Sequence, residues 1–173
     1  TSAPLGPANV ARRATIFMKV ATAAPSVILD GTGRQFAIAA SRFNYEITQR
    51  LVDGAVTTLV KHGVKAENIR ILWVPGSFEL PFAAKYLARH GKVSAVICVG
   101  CIMKGETNHD ELVGTAVAAG ITQVGLSTDV PILLGVVSAN DQHQAIARSG
   151  GTVNRGSEAA LAALEMTTIG DCP

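Results

Sequence analysis

Residues Ala95–Met103 read Ala-Val-Ile-Cys-Val-Gly-Cys-Ile-Met, nine positions without a charge. The run is rich in β-branched residues and too short to span a membrane, so it reads as a strand, its regular part taken as 95–101. An uninterrupted apolar strand is buried on both faces. Its sheet must carry helices on each side, and the connections between its strands are then right-handed crossovers. Phe36-Ala-Ile-Ala-Ala40, Ile69–Val74 with Arg70 as its one charge, and Pro131–Val137 repeat the pattern. Between the first two, Ile47, Leu51, Val52, Ala55, Val56, Leu59 and Val60 recur at spacings of three and four, which predicts an amphipathic helix ending at His62-Gly63. Ser77 is the predicted N-cap of a helix through about Arg89, with Pro81 in its first turn. Further helices are predicted over 110–126, 140–149 and 156–168, the last two joined by Gly150-Gly151-Thr152-Val153-Asn154. The expected fold is α/β, a three-layer sandwich around a four-stranded parallel sheet.

A chain of 173 residues suits one domain with a sizeable core. Residues 34–173 carry the regular pattern. Residues 1–33 read as an extension, since Thr1 to Leu29 holds Arg12, Arg13 and Lys19 and no acid. That composition fits an organelle transit peptide or an unstructured segment. Met18 is a candidate internal start, and 26–29 a candidate short strand. The expected location is cytoplasmic, or organellar if the extension is a transit-peptide remnant.

Hydrophobic residues make up 48% of the chain and charged residues 16%, with a mean hydropathy of +0.31. That is apolar for a small monomer, and burial against further copies of the chain accounts for it. No run of about 18 apolar residues exists, so no membrane association is expected. The net charge of +2 is spread along the chain and aromatics are 5%, which argues against nucleic acid as a partner. Cys98 and Cys101 form C-x-x-C, but strand residues three apart point to opposite faces, and no further ligands complete a zinc site. With the odd Cys172, they read as reduced core residues.

Chemistry is expected where three strand ends meet on one rim of the sheet, the ligand face of open parallel sheets. The first loop is Ser41-Arg42-Phe43-Asn44, the second Pro75-Gly76-Ser77-Phe78-Glu79, the third Lys104-Gly105-Glu106-Thr107-Asn108-His109. His109 is the natural proton carrier, because an imidazole exchanges protons near neutral pH. Phe43 can stack on a flat ring or lie as a lid over the following helix. Ser77 and Glu79 can hold polyol hydroxyls or simply cap a helix. The amides of Gly105 to Thr107 open toward a helix N-terminus and suit a phosphate. Arg148 and Arg155 can supply positive charge or belong to solvated surface. His62, His90 and His143 read as structural. No phosphate loop of the G-x-x-x-x-G-K type, no G-x-G-x-x-G and no nucleophile elbow is present.

Taken in order, Arg42-Phe43-Asn44, Val74 to Pro81, Gly100 to His109, Gly135-Val136, and Asn154-Arg155-Gly156 leading into Glu158 resemble the lumazine synthase family over residues 35–168. The resemblance implies a flavodoxin-like fold. It also implies condensation of 5-amino-6-(ribitylamino)pyrimidinedione with 3,4-dihydroxy-2-butanone 4-phosphate to 6,7-dimethyl-8-ribityllumazine, without a cofactor or metal. Phe43 would stack on the pyrimidine. Backbone groups at Asn44, Ser77, Phe78, Ile102, Met103 and Lys104 would hold the ring and ribityl chain, and Glu79 would bind the ribityl hydroxyls. Gly105, Glu106, Thr107 and Arg148 would cradle the phosphate, with Arg155 nearby, and His109 would shuttle protons. A pentamer with sites between subunits is implied, with riboflavin synthase a candidate partner. Family members confined to pentamers tend to carry an insertion between the last two helices. This chain has none there, which points to a sixty-subunit shell. The N-terminal segment is a candidate strand for a neighbouring subunit's sheet.

Departures from the pattern are Leu134 where a phenylalanine is usual, Asp110 where an aromatic is usual, Arg155 for lysine, and a last loop one residue shorter. Leu134 and the changed last loop leave room for a non-catalytic flavin- or lumazine-binding shell protein, which product formation would exclude. A more remote alternative is an unrelated phosphosugar or nucleotide binder. Its hydroxyl- or glycine-rich loop would stand where Arg42-Phe43-Asn44 stands.

Overall fold

The computed structural model describes Val27 and residues 29–169. Its strands are β1 (Phe36–Ser41), β2 (Ile69–Val74), β3 (Ala95–Met103), β4 (Ile132–Ala139) and the two-residue β5 (Val153–Asn154). The helices are α1 (Tyr45–Lys61), α2 (Leu80–His90), α3 (His109–Thr128), α4 (Gln142–Ser149) and α5 (Arg155–Met166). The first four strands pair in the order β2-β1-β3-β4, every pairing parallel. All six residues of β1 are buried.

Side-chain alternation divides the core in two. Phe36, Ile38 and Ala40 of β1 join Ile97, Val99 and Cys101 of β3 against Leu51, Ala55 and Leu59 of α1 and Ala160, Ala163 and Leu164 of α5. Ala37 and Ala39 join Val96 and Cys98 against Leu80, Ala84 and Leu87 of α2 and Val117 and Ile121 of α3. The three-layer sandwich is therefore as expected, with helices on both faces of a parallel sheet. Cys98 and Cys101 lie in opposite core layers and are not bonded. Burial pushes the Cys98 thiol up to about 12 and the Cys101 thiol up to about 11, so both stay inert thiols at neutral pH.

Three local expectations need correction. Ser77 does not cap a helix: Ser77–Glu79 form a 3₁₀ turn, and the Glu79 carboxylate accepts the Gly76 N–H at 2.9 Å. The chain completes this turn before α2 begins at Leu80, so Ser77 lies inside the turn and not one residue ahead of the helix. The helix predicted to start at residue 140 starts at Gln142, because Asp141 is its N-cap and accepts from the Gln144 N–H at 2.8 Å. The link over 150–154 is not a plain loop, since Ser149 and Gly150 bridge Asn154 and Val153 in an antiparallel hairpin. The extension over 1–26 lies outside the described residues, as does part of the candidate strand at 26–29.

Candidate functional site

The chain crosses from one face of the sheet to the other between β1 and β3. β1 leads into α1 on one face, and β3 leads into α3 on the other. Strands that part in this way leave a crevice beyond their carboxyl ends. A cleft of about 410 Å³ occupies it, lined by Phe43, Gly76, Ser77, Phe78, Cys101, Ile102, Met103, Gly105, Thr107, His109, Asp110 and Val113. The volume and the mix of apolar wall and few polar groups suit a small organic ligand. A larger depression of about 730 Å³ lies at the opposite ends of the strands, beside Ser94 and Pro131. Its lining is mainly apolar and hydroxyl-bearing, and Arg34 there donates to the Thr167 carbonyl.

The first wall is fixed by backbone. Arg42 and Phe43 donate their amides to the Val74 and Pro75 carbonyls at 2.8 and 3.1 Å. Asn44 adopts the left-handed conformation at φ 57°, which asparagine tolerates better than most residues, and its Nδ2 donates to the Cys101 carbonyl at 2.9 Å. The turn is thereby tied to the end of β3. Phe43 is left 68% exposed at the mouth of the cleft, where its ring is free to stack on a ligand.

The second wall is the 3₁₀ turn. Phe78 is exposed along it, and Ser77 forms the floor. The turn sits close on the sheet because residue 100 is glycine: a Cβ there would lie 2.6 Å from the Ser77 Oγ. The Ser77 hydroxyl is buried without a hydrogen-bond partner.

The third wall is the loop from Lys104 and the start of α3. The Lys104 amide donates to the Ala139 carbonyl at 2.8 Å. Its ammonium contacts Glu111 at 3.2 Å and Asp110 at 3.7 Å. The hydrogen bond it donates to Glu111, with the charge of Asp110, holds the lysine pKa above its ordinary value. A Cβ at Gly105 would meet nothing within 4 Å, so space lies open in front of the loop. Asn108 precedes α3 without a side-chain cap, leaving the first amides of a 20-residue helix beside that space. Such amides attract anions. The His109 amide donates to the Thr107 hydroxyl at 3.4 Å, and its imidazole borders the cleft.

The predicted residues therefore fall into three groups. Phe43, Ser77, Phe78, Ile102, Met103, Gly105, Thr107 and His109 line one cleft. Asn44, Glu79, Lys104 and Glu106 sit at its margins, with the Asn44, Glu79 and Lys104 side chains engaged as described. Leu134, Arg148 and Arg155 do not reach the cleft of their own chain. Leu134 is 52% exposed and lines a separate recess with Ile102, Asp110, Glu111 and Val136. Arg148 ends α4 on the far face of the sheet, and Arg155 opens α5, ion-paired with Glu158.

Two contributors were named from the sequence only as a departure from the family pattern or as part of a motif, without a role in the site. Asp110 lines the cleft although only His109 was marked as its working group. Asn154 fixes the start of α5: its Nδ2 donates to the Arg50 and Ser149 carbonyls at 3.0 and 2.9 Å, and its Oδ1 accepts from the Ser157 amide at 3.0 Å. The Asn-Arg-Gly triplet carried the signal, since a cap residue followed by glycine marks a close-packed helix start. His62 Nδ1 donates to the Thr58 carbonyl, and the His90 ring lies 5.0 Å from Tyr86. Among the described residues no three His, Cys, Asp or Glu side chains converge to hold a metal ion, and no helix is long and apolar enough to cross a membrane.

A family model described as 6,7-dimethyl-8-ribityllumazine synthase matches residues 33–170. A curated protein of Arabidopsis thaliana, named "6,7-dimethyl-8-ribityllumazine synthase, chloroplastic", is 41% identical over 143 residues. The match covers 82% of this chain and 63% of that protein.

Proposed function

The chain belongs to the 6,7-dimethyl-8-ribityllumazine synthase family, and on that footing we propose that it condenses a ribitylaminopyrimidinedione with 3,4-dihydroxy-2-butanone 4-phosphate to the lumazine, as a step of riboflavin biosynthesis. The observation that carries this reading is the cleft that gathers Phe43, Phe78, Gly105, Thr107 and His109 beyond the strand ends. The exposed Phe43 ring offers a face to the pyrimidine. The uncapped start of α3 and the open space at Gly105 offer amides to the phosphate.

The chemistry then needs little more than placement. The substrate amine attacks the ketone carbon, water leaves, and a Schiff base forms. Phosphate departs by elimination, the resulting enol tautomerises to a ketone, and the second amine adds to that ketone and loses a second water to close the ring. Holding two reactants in register supplies much of the rate. His109 takes up and returns the protons, a contribution of about 10²-fold or more.

We further infer that the site is completed by a second copy of the chain. Leu134, Arg148 and Arg155 stand outside the cleft that their chemistry would serve, and a neighbouring subunit can bring them to it. The surface supports such packing: Phe82 is 77%, Leu112 70% and Leu126 80% exposed, and α3 carries no charged residue from Leu112 to Thr128. A pentamer is the assembly proposed, and the short hairpin over 150–154 is compatible with a sixty-subunit shell. The catalytic unit is taken as residues 34–173, with the N-terminal segment adding a strand to a neighbour's sheet. Riboflavin synthase stays a candidate partner. An organellar destination is in keeping with the acid-free composition of residues 1–29.

The test is product formation. Mixing the two substrates with the purified chain should generate the fluorescent lumazine at a rate well above the uncatalysed reaction, and analytical ultracentrifugation should show a species of five subunits or more. Ligand binding without turnover would favour the non-catalytic shell protein. A monomer or dimer would overturn the shared site.

A further inference from the structure

Among the described residues, two side-chain polar atoms are buried with no hydrogen-bond partner, and both belong to residues that line the candidate cleft. One is the Ser77 Oγ, on a residue 6% exposed. The other is the Asp110 Oδ1, on a side chain 11% exposed. Buried polar atoms are seldom left unpaired, because each costs its full desolvation. Two such orphans on residues of one cleft wall are polar groups that the free chain does not satisfy.

Their chemistry says what the partner is. The Asp110 carboxylate accepts only; its Oδ2 faces Lys104 at 3.7 Å, which leaves Oδ1 to be matched by a donor. The serine hydroxyl accepts or donates. The fitting ligand group is an N–H or O–H donor, and a phosphate, whose negative charge the carboxylate repels, is the wrong complement for Asp110. We propose that Asp110, supported by Ser77, is a further substrate-binding residue that accepts a hydrogen bond from an amine or ring N–H of the heteroaromatic diamine. This extends the synthase reading and rests on it.

The placement is specific. Asp110 follows His109 in the first turn of α3 and lies on the wall shared with the recess that holds Leu134. A ligand held there by its nitrogens presents them beside the imidazole, where an amine must lose its protons. Glu111, the other acid of that turn, is exposed and bonded to Lys104, so it does not compete for the same donor.

Asp110→Asn and Ser77→Ala test the proposal on the assembled protein. The probes are a ribitylaminopyrimidinedione analogue that cannot react and, separately, inorganic phosphate. Asp110→Asn keeps the shape and should weaken the analogue by roughly 10- to 100-fold, the range for a charged acceptor. Ser77→Ala should weaken it by roughly 3- to 10-fold. Phosphate should bind within twofold of the unmodified chain in both variants. The proposal is overturned if both variants bind the analogue within twofold, or if phosphate affinity falls in parallel. It is also overturned if Lys104→Met loses as much analogue affinity as Asp110→Asn, since Asp110 would then only anchor the lysine. An unmodified chain that binds no analogue at all would refute the synthase reading itself.

Discussion

Gly156→Ala should be among the most damaging single-methyl additions in this chain. A Cβ at residue 156 would lie 1.9 Å from the Leu51 carbonyl oxygen, 2.7 Å from its carbon and 3.0 Å from the Asn154 Oδ1. The first contact is with backbone inside α1, so no side-chain rotation relieves it. Either α5 backs away from α1 or its first turn unwinds. Overpacking of this kind costs about 1–3 kcal/mol. Moving the turn also strains the three hydrogen bonds of Asn154, and losing one or two of them adds about 0.5–1.5 kcal/mol each. Alanine's better helix propensity returns roughly 0.8–1 kcal/mol. The balance is a destabilisation of about 2–4 kcal/mol, a large part of a typical folding free energy. Urea unfolding at one fixed protein concentration measures it, since assembly couples stability to concentration. Gly105→Ala is the matched control, because its Cβ meets nothing within 4 Å and its stability should change by less than about 0.5 kcal/mol. If the two variants unfold at the same midpoint, the close approach of α5 to α1 is not what fixes residue 156 as glycine.

His109→Ala should lower kcat by about 10- to 10³-fold with assembly intact, and unchanged turnover would remove the imidazole from the reaction. Arg148→Ala should weaken phosphate by about 1.5–3 kcal/mol and a ribityl-pyrimidine analogue much less; equal losses in a calorimetric titration would make it a structural residue. Leu134→Phe should tighten the analogue by about 0.5–1.5 kcal/mol if this position reaches a neighbour's ring. Affinity and stability both left unchanged would place Leu134 away from the ligand.

The two central strands, β1 and β3, were legible because burial on both faces leaves a plain mark in sequence, whereas no residue of the edge strand β2 is fully buried. Ile69–Val74 carries its limits in its flanking residues, and β3 announces itself by having no charge at all. The α1 stripe from Ile47 to Leu59 was equally plain, since each member packs on the same core layer. What escaped were features settled by atoms distant in sequence. Nothing near Ser77 says that Glu79 will take the Gly76 amide, and nothing near Asn154 says that it will reach the Arg50 carbonyl. The site shows the same division. The loop residues after β1, β2 and β3 meet because parallel strands bring their carboxyl ends together. Leu134, Arg148 and Arg155 could not be placed by that rule, for within one chain they lie elsewhere. Asp110 was read only as a neighbour of His109, because the loss of an aromatic does not tell what the replacing carboxylate will face.

The strand order also sets a timetable for the chain. β1 lies between β2 and β3, and Phe36 pairs with both Ile69 and Ala95, so it has one edge uncovered until the third strand exists. Ala160, Ala163 and Leu164, which close the core layer over Phe36 and Ile38, belong to the last helix. Contacts so far apart in sequence close late and slowly. A ribosome must therefore deliver nearly all of the described chain before its first strand is sheltered, and for that interval the nascent protein shows an apolar edge to whatever surrounds it.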